Sequence, residues 1–184
     1  VPEGFLYNLT WAEEIGLTPE LATNIKTFAD MEPWLAKAKE AHPDEYPYLT
    51  DGRLGFNPWV PNFAAGVNSN LVNMKIAPDE TGSFDETIVV PVETDWAKEH
   101  LGFMRDFYVK GYINPDAGLG TFQTNDFFNA GKFLFYPMPL KGNNIKAQEL
   151  INASGNPDLK VGEIYGQAKY INTNDTGGSM LAIP

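Results

Sequence analysis

The sequence of 184 residues contains no cysteine and only two histidines, and these absences remove several kinds of functional site. Without cysteine there are no disulfides, no thiolate zinc ligands and no cysteine nucleophile. His42 lies beside a proline, and His100 lies in a different segment, on what we expect to be the exposed face of a helix. The sequence therefore predicts neither a metal site nor a histidine-based catalytic triad.

Basic residues are also scarce, because 13 lysines and arginines stand against 24 aspartates and glutamates, for a net charge of −11. The acidic residues are spread along the chain rather than collected in a tail. Such a surface repels polyanions, so nucleic acid is not an expected partner. No apolar stretch approaches the roughly 20 residues that a membrane-spanning helix needs.

The short motifs of common enzyme sites are missing as well. The sequence has no Walker loop, no GxGxxG after a strand, no GxSxG and no HExxH. Asn114, Asp116 and Gly118 match a calcium loop in spacing only, since its terminal glutamate is not in place, and this favours a solvated turn. Carboxylates are plentiful, but none follows an apolar strand where its pKa would be raised for glycosidase chemistry. We expect a protein that is not an enzyme and that uses no cofactor.

Aromatic residues, in contrast, are abundant, with 12 Phe, eight Tyr and four Trp. Aromatic side chains fill cores and also stack on sugar rings. The length suits one domain with a substantial core. Amphipathic helical segments alternate with apolar, strand-like segments, which predicts an α/β fold with a mixed β-sheet flanked by helices.

Local signals place the helices within this fold. The first helix is predicted at residues 10–15 with Thr10 in its capping box. Pro33 would cost about 3 kcal/mol in a helix interior, so the N-cap of the second helix is predicted at Asp30 rather than at Thr27. A third helix spans residues 94–111, with a buried stripe expected at Ala97, Leu101, Met104 and Tyr108.

Residues 125–144 predict a short helix, a stop, a buried strand and a loop. Asn125 can cap the helix, and Gly131 can end it in the left-handed conformation. Residues 133–136 are apolar on both faces, as in a central strand, and Pro137 and Pro139 are expected to end its ladder.

The loop that leaves this strand is a candidate ligand site. Ligands of open α/β sheets collect outside the carboxyl ends of strands, where Tyr136, Met138 and Lys141 are expected to lie. The alternative is a core strand with an ordinary exit loop. Residues 73–77 and 87–92 predict a β-hairpin, and the long loop before it contains Trp59. That side chain either presents its ring to a sugar or packs under its own loop.

Several segments, taken in order, resemble the extracellular solute-binding proteins of ABC importers. The resemblance is to sugar-binding family 1, and more closely to its oligosaccharide-binding lipoproteins. The segments are Tyr7-Asn8 leading into residues 11–17, residues 27–47, residues 93–116, Phe-Phe-Asn-Ala-Gly-Lys at residues 127–132, and residues 177–183. Together they cover most of the chain, although each is degenerate alone.

The resemblance implies a periplasmic-binding-protein-like lobe. Residues 1–184 would form a single α/β lobe, the C-terminal lobe of a two-lobed protein, with Val1 and Pro184 at the hinge. Tyr7 falls on a family position that faces the cleft, and residues 136–141 fall on another. Residues 53–73 have no counterpart in the family.

The resemblance also implies a function, which is non-enzymatic capture of a carbohydrate, most simply an oligosaccharide, for ABC-type uptake. The implied partners are the sugar and the ABC permease subunits, and the implied state is a monomer outside the cell, either periplasmic or anchored as a lipoprotein by a signal upstream. Two alternatives stay open: a carbohydrate-active hydrolase domain, and a binder of the same fold for peptides or other solutes.

Overall fold

The structure, a computed structural model, describes residues 3–50, 73–74, 88–89, 95–119, 121–140 and 144–165. In chain order its elements are β1 (Glu3–Asn8), α1 (Leu9–Glu14), α2 (Pro19–Ala22), α3 (Phe28–Ala41), β2 (Asn73–Met74), β3 (Ile88–Val89), α4 (Asp95–Val109), a 3-10 helix (Pro115–Gly118), α5 (Thr124–Asn129), β4 (Phe135–Pro139), α6 (Ile145–Ser154) and β5 (Val161–Tyr165). Among these described helices, none has the length and apolar character needed to span a bilayer.

Three strands form one sheet in the order β4-β1-β5, and both outer strands pair antiparallel with β1. A single parallel bridge joins Tyr48 to Phe135. The predicted α/β class is confirmed, but the pairing between the named strands is antiparallel, and in the described residues parallel pairing amounts to that one bridge. Strands β2 and β3 pair antiparallel, as the predicted hairpin requires.

The central strand is β1, and not the segment 133–136 that its apolar pattern suggested. The outer strand β4 also runs through Pro137 and Pro139, which were expected to end it. The Asn8 N–H donates to the Leu134 carbonyl oxygen at 3.0 Å, and hydrogen-bonded positions alternate along an antiparallel pair. Both proline nitrogens therefore face away from β1, where no N–H is needed.

Side chains alternate across β1, so each face of the strand is covered by a different cluster. Phe5 and Tyr7 pack with residues of α1, α3 and α4, whereas Leu6 packs with residues of α5 and α6. Phe133 and Phe135 are fully buried in different clusters, which confirms that this segment is buried on both faces.

Helix α1 begins one residue earlier than predicted, because its N-cap is Asn8 rather than Thr10. The Asn8 Oδ1 accepts hydrogen bonds from the N–H groups of Thr10, at 2.9 Å, and Trp11, at 3.3 Å. Its Nδ2 donates to the Gly131 carbonyl oxygen at 2.8 Å. One buried asparagine therefore starts α1 and holds the end of α5.

The N-cap of helix α3 is Thr27, so the predicted N-cap at Asp30 is wrong. Thr27 and Asp30 form a capping box in which each side chain accepts from the other backbone N–H. Partial desolvation raises the pKa of Asp30, but hydrogen bonds from Thr27 and Lys26 outweigh it and hold this pKa below its usual value. Pro33 lies inside the helix, two residues after the fully buried Met31, and it removes one backbone N–H donor there.

The buried face of α4 is rotated by about one residue from the predicted stripe. Its buried side chains include Met104, as expected, together with Phe107 and His100. His100, expected in water, is 6% exposed, and its ring lies edge-on to Phe28 with the centroids 5.4 Å apart. Tyr108, expected in the core, is half exposed.

Helices α5 and α6 both end at glycines in the left-handed conformation, Gly131 at φ 69° and Gly155 at φ 68°. For α5 this confirms the predicted end at Gly131, because glycine adopts positive φ without the steric cost of a β-carbon. The predicted start of α5 is wrong, since its N-cap is Gln123 and Asn125 lies within the helix.

Candidate functional site

The carboxyl ends of β4 and β5 lie at the same end of the strands of the sheet, because both strands run antiparallel to β1 between them. At this end Gly4 of β1 is paired with Met138 on one side and with Tyr165 on the other. Neighbouring strands are about 4.8 Å apart, which separates the Met138 and Tyr165 backbones by roughly 10 Å. We call the group formed by Tyr136, Met138, Glu163 and Tyr165 the carboxyl edge.

The sequence predicted two residues of the carboxyl edge, Tyr136 and Met138, and the structure brings them together on one face. Tyr136 is paired with Leu6 and packs in the same cluster, with 9% of its surface exposed. Its hydroxyl donates to the Thr124 Oγ1 at 3.3 Å, which links β4 to the start of α5. Met138 is half-buried and packs against the same cluster, so it presents more surface than Tyr136 does.

Tyr7 lies on the opposite face of the sheet from these two residues. It is paired with Phe135 in β4 and with Gly162 in β5, and it is only 5% exposed. A β-carbon built at Gly162 would lie 2.5 Å from the Tyr7 Cε1, so the phenol ring covers the glycine backbone. Burial raises the pKa of the Tyr7 phenol. Within this chain Tyr7 is a core residue, and its contact with a ligand stays a prediction.

Two further predicted ligand residues, Trp59 and Lys141, lie outside the described residues. The same is true of the loop at residues 53–72 and of residues 166–184.

Sequence reasoning missed Glu163 and Tyr165, which complete the carboxyl edge. The Tyr165 hydroxyl donates to the Glu163 Oε2 at 2.7 Å. The Glu163 Oε1 accepts from the backbone N–H of Ala147 in the first turn of α6, at 3.1 Å. Apolar and polar residues alternate along residues 159–164, which indicates a strand with two different faces. Only the register of β5 against β1 shows that Glu163 lies on the same face as Leu6 and Tyr136.

The carboxyl edge combines a carboxylate with aromatic and thioether side chains. A carboxylate only accepts hydrogen bonds, so Glu163 suits ligand hydroxyl groups, whereas the ring of Tyr165 offers an apolar surface. Within the described residues, no cluster of three histidine or acidic side chains is arranged to hold a metal ion.

Comparison of the sequence with family models and with curated proteins finds no match, whereas solved structures do match. Two structures of the N-glycan transport solute binding protein NgtS from Streptococcus pneumoniae are in complex with Man1GlcNAc and Man5GlcNAc. They cover 89% of this chain at 20% identity, with TM-scores of 0.63 and 0.65. The sugar-binding protein MalE from Xanthomonas citri covers 90% at 19% identity, with a TM-score of 0.53.

In each alignment this chain corresponds to only part of the matched protein, 34% and 33% of the NgtS chains and 38% of MalE. At identities this low, the structural matches show a common fold and do not show a common activity, because unrelated activities can occur on one fold. The chain therefore has a periplasmic-binding-protein-like α/β fold, and it spans about a third of the length of the NgtS chains it resembles.

Proposed function

We propose that this chain is one lobe of a non-enzymatic protein that captures an oligosaccharide for an ABC importer. The observation that carries the proposal is the likeness to the two NgtS glycan complexes, with TM-scores above 0.6 over 89% of the chain. The match to sugar-binding MalE supports carbohydrate as the ligand class. Because the chain spans about a third of the NgtS length, the ligand would lie between this lobe, residues 1–184, and a second one.

In this proposal the sugar contacts the carboxyl edge. Met138 and Lys141, at and after the end of β4, contact the ligand directly, and Tyr136 supports them through its bond to Thr124. Trp59 stacks on a sugar ring from its own loop. Tyr7 reaches the ligand at most with its hydroxyl group, because its ring is buried on the other face.

The proposed mechanism is closure of two lobes on the ligand by a hinge motion, after which the permease subunits recognise the closed form. The protein would act as a monomer outside the cell, periplasmic or lipid-anchored, and would need no cofactor. The acidic chain, with a net charge of −11, is compatible with an uncharged ligand.

The test is titration of an oligosaccharide panel that includes Man5GlcNAc, using this chain and the protein encoded by the complete reading frame around it. We expect the longer protein to bind at least one oligosaccharide. If half of an interaction of about 8 kcal/mol comes from the second lobe, the dissociation constant of this chain alone is about a thousandfold higher. Equal affinities would contradict the two-lobed site.

Two controls separate the alternatives. Steady release of sugar from an aryl-glycoside panel, abolished by one acidic substitution, would establish a hydrolase instead. Binding of a peptide panel without binding of any sugar would establish a solute-binding protein of the same fold with a different ligand.

A further inference from the structure

We propose that Glu163 and Tyr165 form a subsite that selects neutral over acidic oligosaccharides. The inference rests on the proposed function and names the ligand class more narrowly. Its basis is a carboxylate that is fixed in position at the carboxyl edge, next to a partly exposed aromatic ring.

The Glu163 carboxylate is held from two directions. The backbone N–H of Ala147 donates to Oε1 at 3.1 Å, and the hydroxyl of Tyr165 donates to Oε2 at 2.7 Å. Because each carboxylate oxygen has two acceptor positions, both oxygens can accept a further hydrogen bond. The side chain is half-buried, so a ligand hydroxyl group would meet a carboxylate that is already oriented.

The ring of Tyr165 supplies the second contact. It is 39% exposed and lies on the same face as Glu163, two residues away along β5. An exposed ring can stack on the apolar C–H face of a pyranose while the neighbouring carboxylate accepts from its hydroxyl groups. A neutral sugar satisfies both contacts.

An acidic sugar can make the same two contacts, but only at a cost in electrostatic energy. Its carboxylate adds a like charge beside Glu163, and the net charge of −11 adds a repulsive field of the same sign. The positive end of α6 would otherwise attract an anion, but Glu163 already occupies its third N–H group, that of Ala147. Lys146 in the same turn contributes one positive charge, so the expected discrimination is moderate rather than absolute.

The experiment uses a neutral biantennary N-glycan and its disialylated form, titrated into the protein encoded by the complete reading frame at fixed ionic strength. We expect the neutral form to bind about tenfold more tightly, the ratio that corresponds to about 1.4 kcal/mol. Glu163→Gln retains an oxygen that can accept from Ala147, and it should reduce the ratio to about threefold or less. Tyr165→Ala should lower the affinity for both glycans by about threefold to tenfold, because the stacking contact is lost.

Matched controls come from α4, which packs against the opposite face of the sheet. Glu99→Gln removes the same charge from an exposed position, and Tyr108→Ala removes a ring that is 51% exposed. Neither should alter affinity or selectivity.

A selectivity ratio that is unchanged in Glu163→Gln, while the neutral glycan still binds, would overturn the inference and leave the proposed function intact. If Glu163→Gln lowered the affinity for both glycans equally and also lowered the melting temperature, the inference would again be wrong. That result would mean that Glu163 only caps α6. If no glycan in the panel binds, both proposals are wrong.

Discussion

Replacing Tyr7 by alanine distinguishes a core residue from a ligand residue at a position that the family resemblance assigns to the cleft and that is buried within this chain. The ring is 5% exposed and covers the backbone of Gly162. Truncation of a buried aromatic residue typically costs about 3 to 5 kcal/mol, which is the lost transfer energy plus the energy of the cavity left behind. This is a large share of the roughly 5 to 15 kcal/mol that stabilises most domains.

Urea denaturation of this chain measures the effect. With a slope of about 3 kcal/mol per molar urea, a loss of about 3 to 5 kcal/mol lowers the unfolding midpoint by roughly 1 to 1.7 M. The matched control is Tyr7→Phe, which keeps the ring and removes only the hydroxyl group. We expect it to stay within about 1.5 kcal/mol of the wild type, because a single hydrogen bond contributes about that much at most.

The contrary result is equally specific. If Tyr7→Ala left the unfolding midpoint unchanged within about 0.3 M and weakened glycan binding in the longer protein, the ring would be a cleft residue. Our assignment of the ring to the core, taken from its 5% exposure and its cover of Gly162, would then be wrong.

Three further substitutions test other parts of the fold. Tyr48→Phe should stabilise the chain by about 1 kcal/mol and raise its melting temperature, because the fully buried hydroxyl has no hydrogen-bond partner among the described residues. Gly162→Ala should cost about 1 to 3 kcal/mol in urea titrations, since the new methyl group would displace the Tyr7 ring, and an unchanged midpoint would argue against that packing. Asp30→Ala, which removes the N3 carboxylate of the capping box, should cost about 0.3 to 1 kcal/mol at neutral pH. Because the folded-state pKa of Asp30 is lowered, its contribution is present above the unfolded-state pKa of about 4 and is lost as pH falls through the folded value, so urea midpoints of mutant and wild type should converge in acid.

Helix ends show why part of the fold could be predicted and part could not. Gly131 ends α5 as expected, because the left-handed conformation is a property of the residue and its immediate neighbours. The start of α1 instead depends on a contact between Asn8 and Gly131, which are 123 positions apart. Thr10 offered a second local cap, and the additional hydrogen bond from Asn8 to the Gly131 carbonyl oxygen favours Asn8.

The face of α4 illustrates the same limit. Stripes at four- and three-residue spacing fit both the predicted set and the observed set, and the two share Met104. Phe28 packs edge-on to His100 and tilted against Phe103, with centroid distances of 5.4 and 5.6 Å, and these contacts favour the observed set. A polar residue therefore enters the core because an aromatic ring from α3 meets it, which no periodicity in α4 could indicate.

The carboxyl edge required information of a third kind, the register of three strands that are far apart in sequence. Tyr7 and Tyr136 both lie in apolar strands that precede a helix or loop, so the residue types alone make them equivalent candidates. Pairing of Leu6 with Tyr136 and with Glu163 assigns Tyr136 and Glu163 to one face and, by alternation, Tyr7 to the other. A ligand that contacts Met138 therefore reaches Glu163 and Tyr165 before it reaches the ring of Tyr7, and affinity should depend on the first three residues while stability depends on the last.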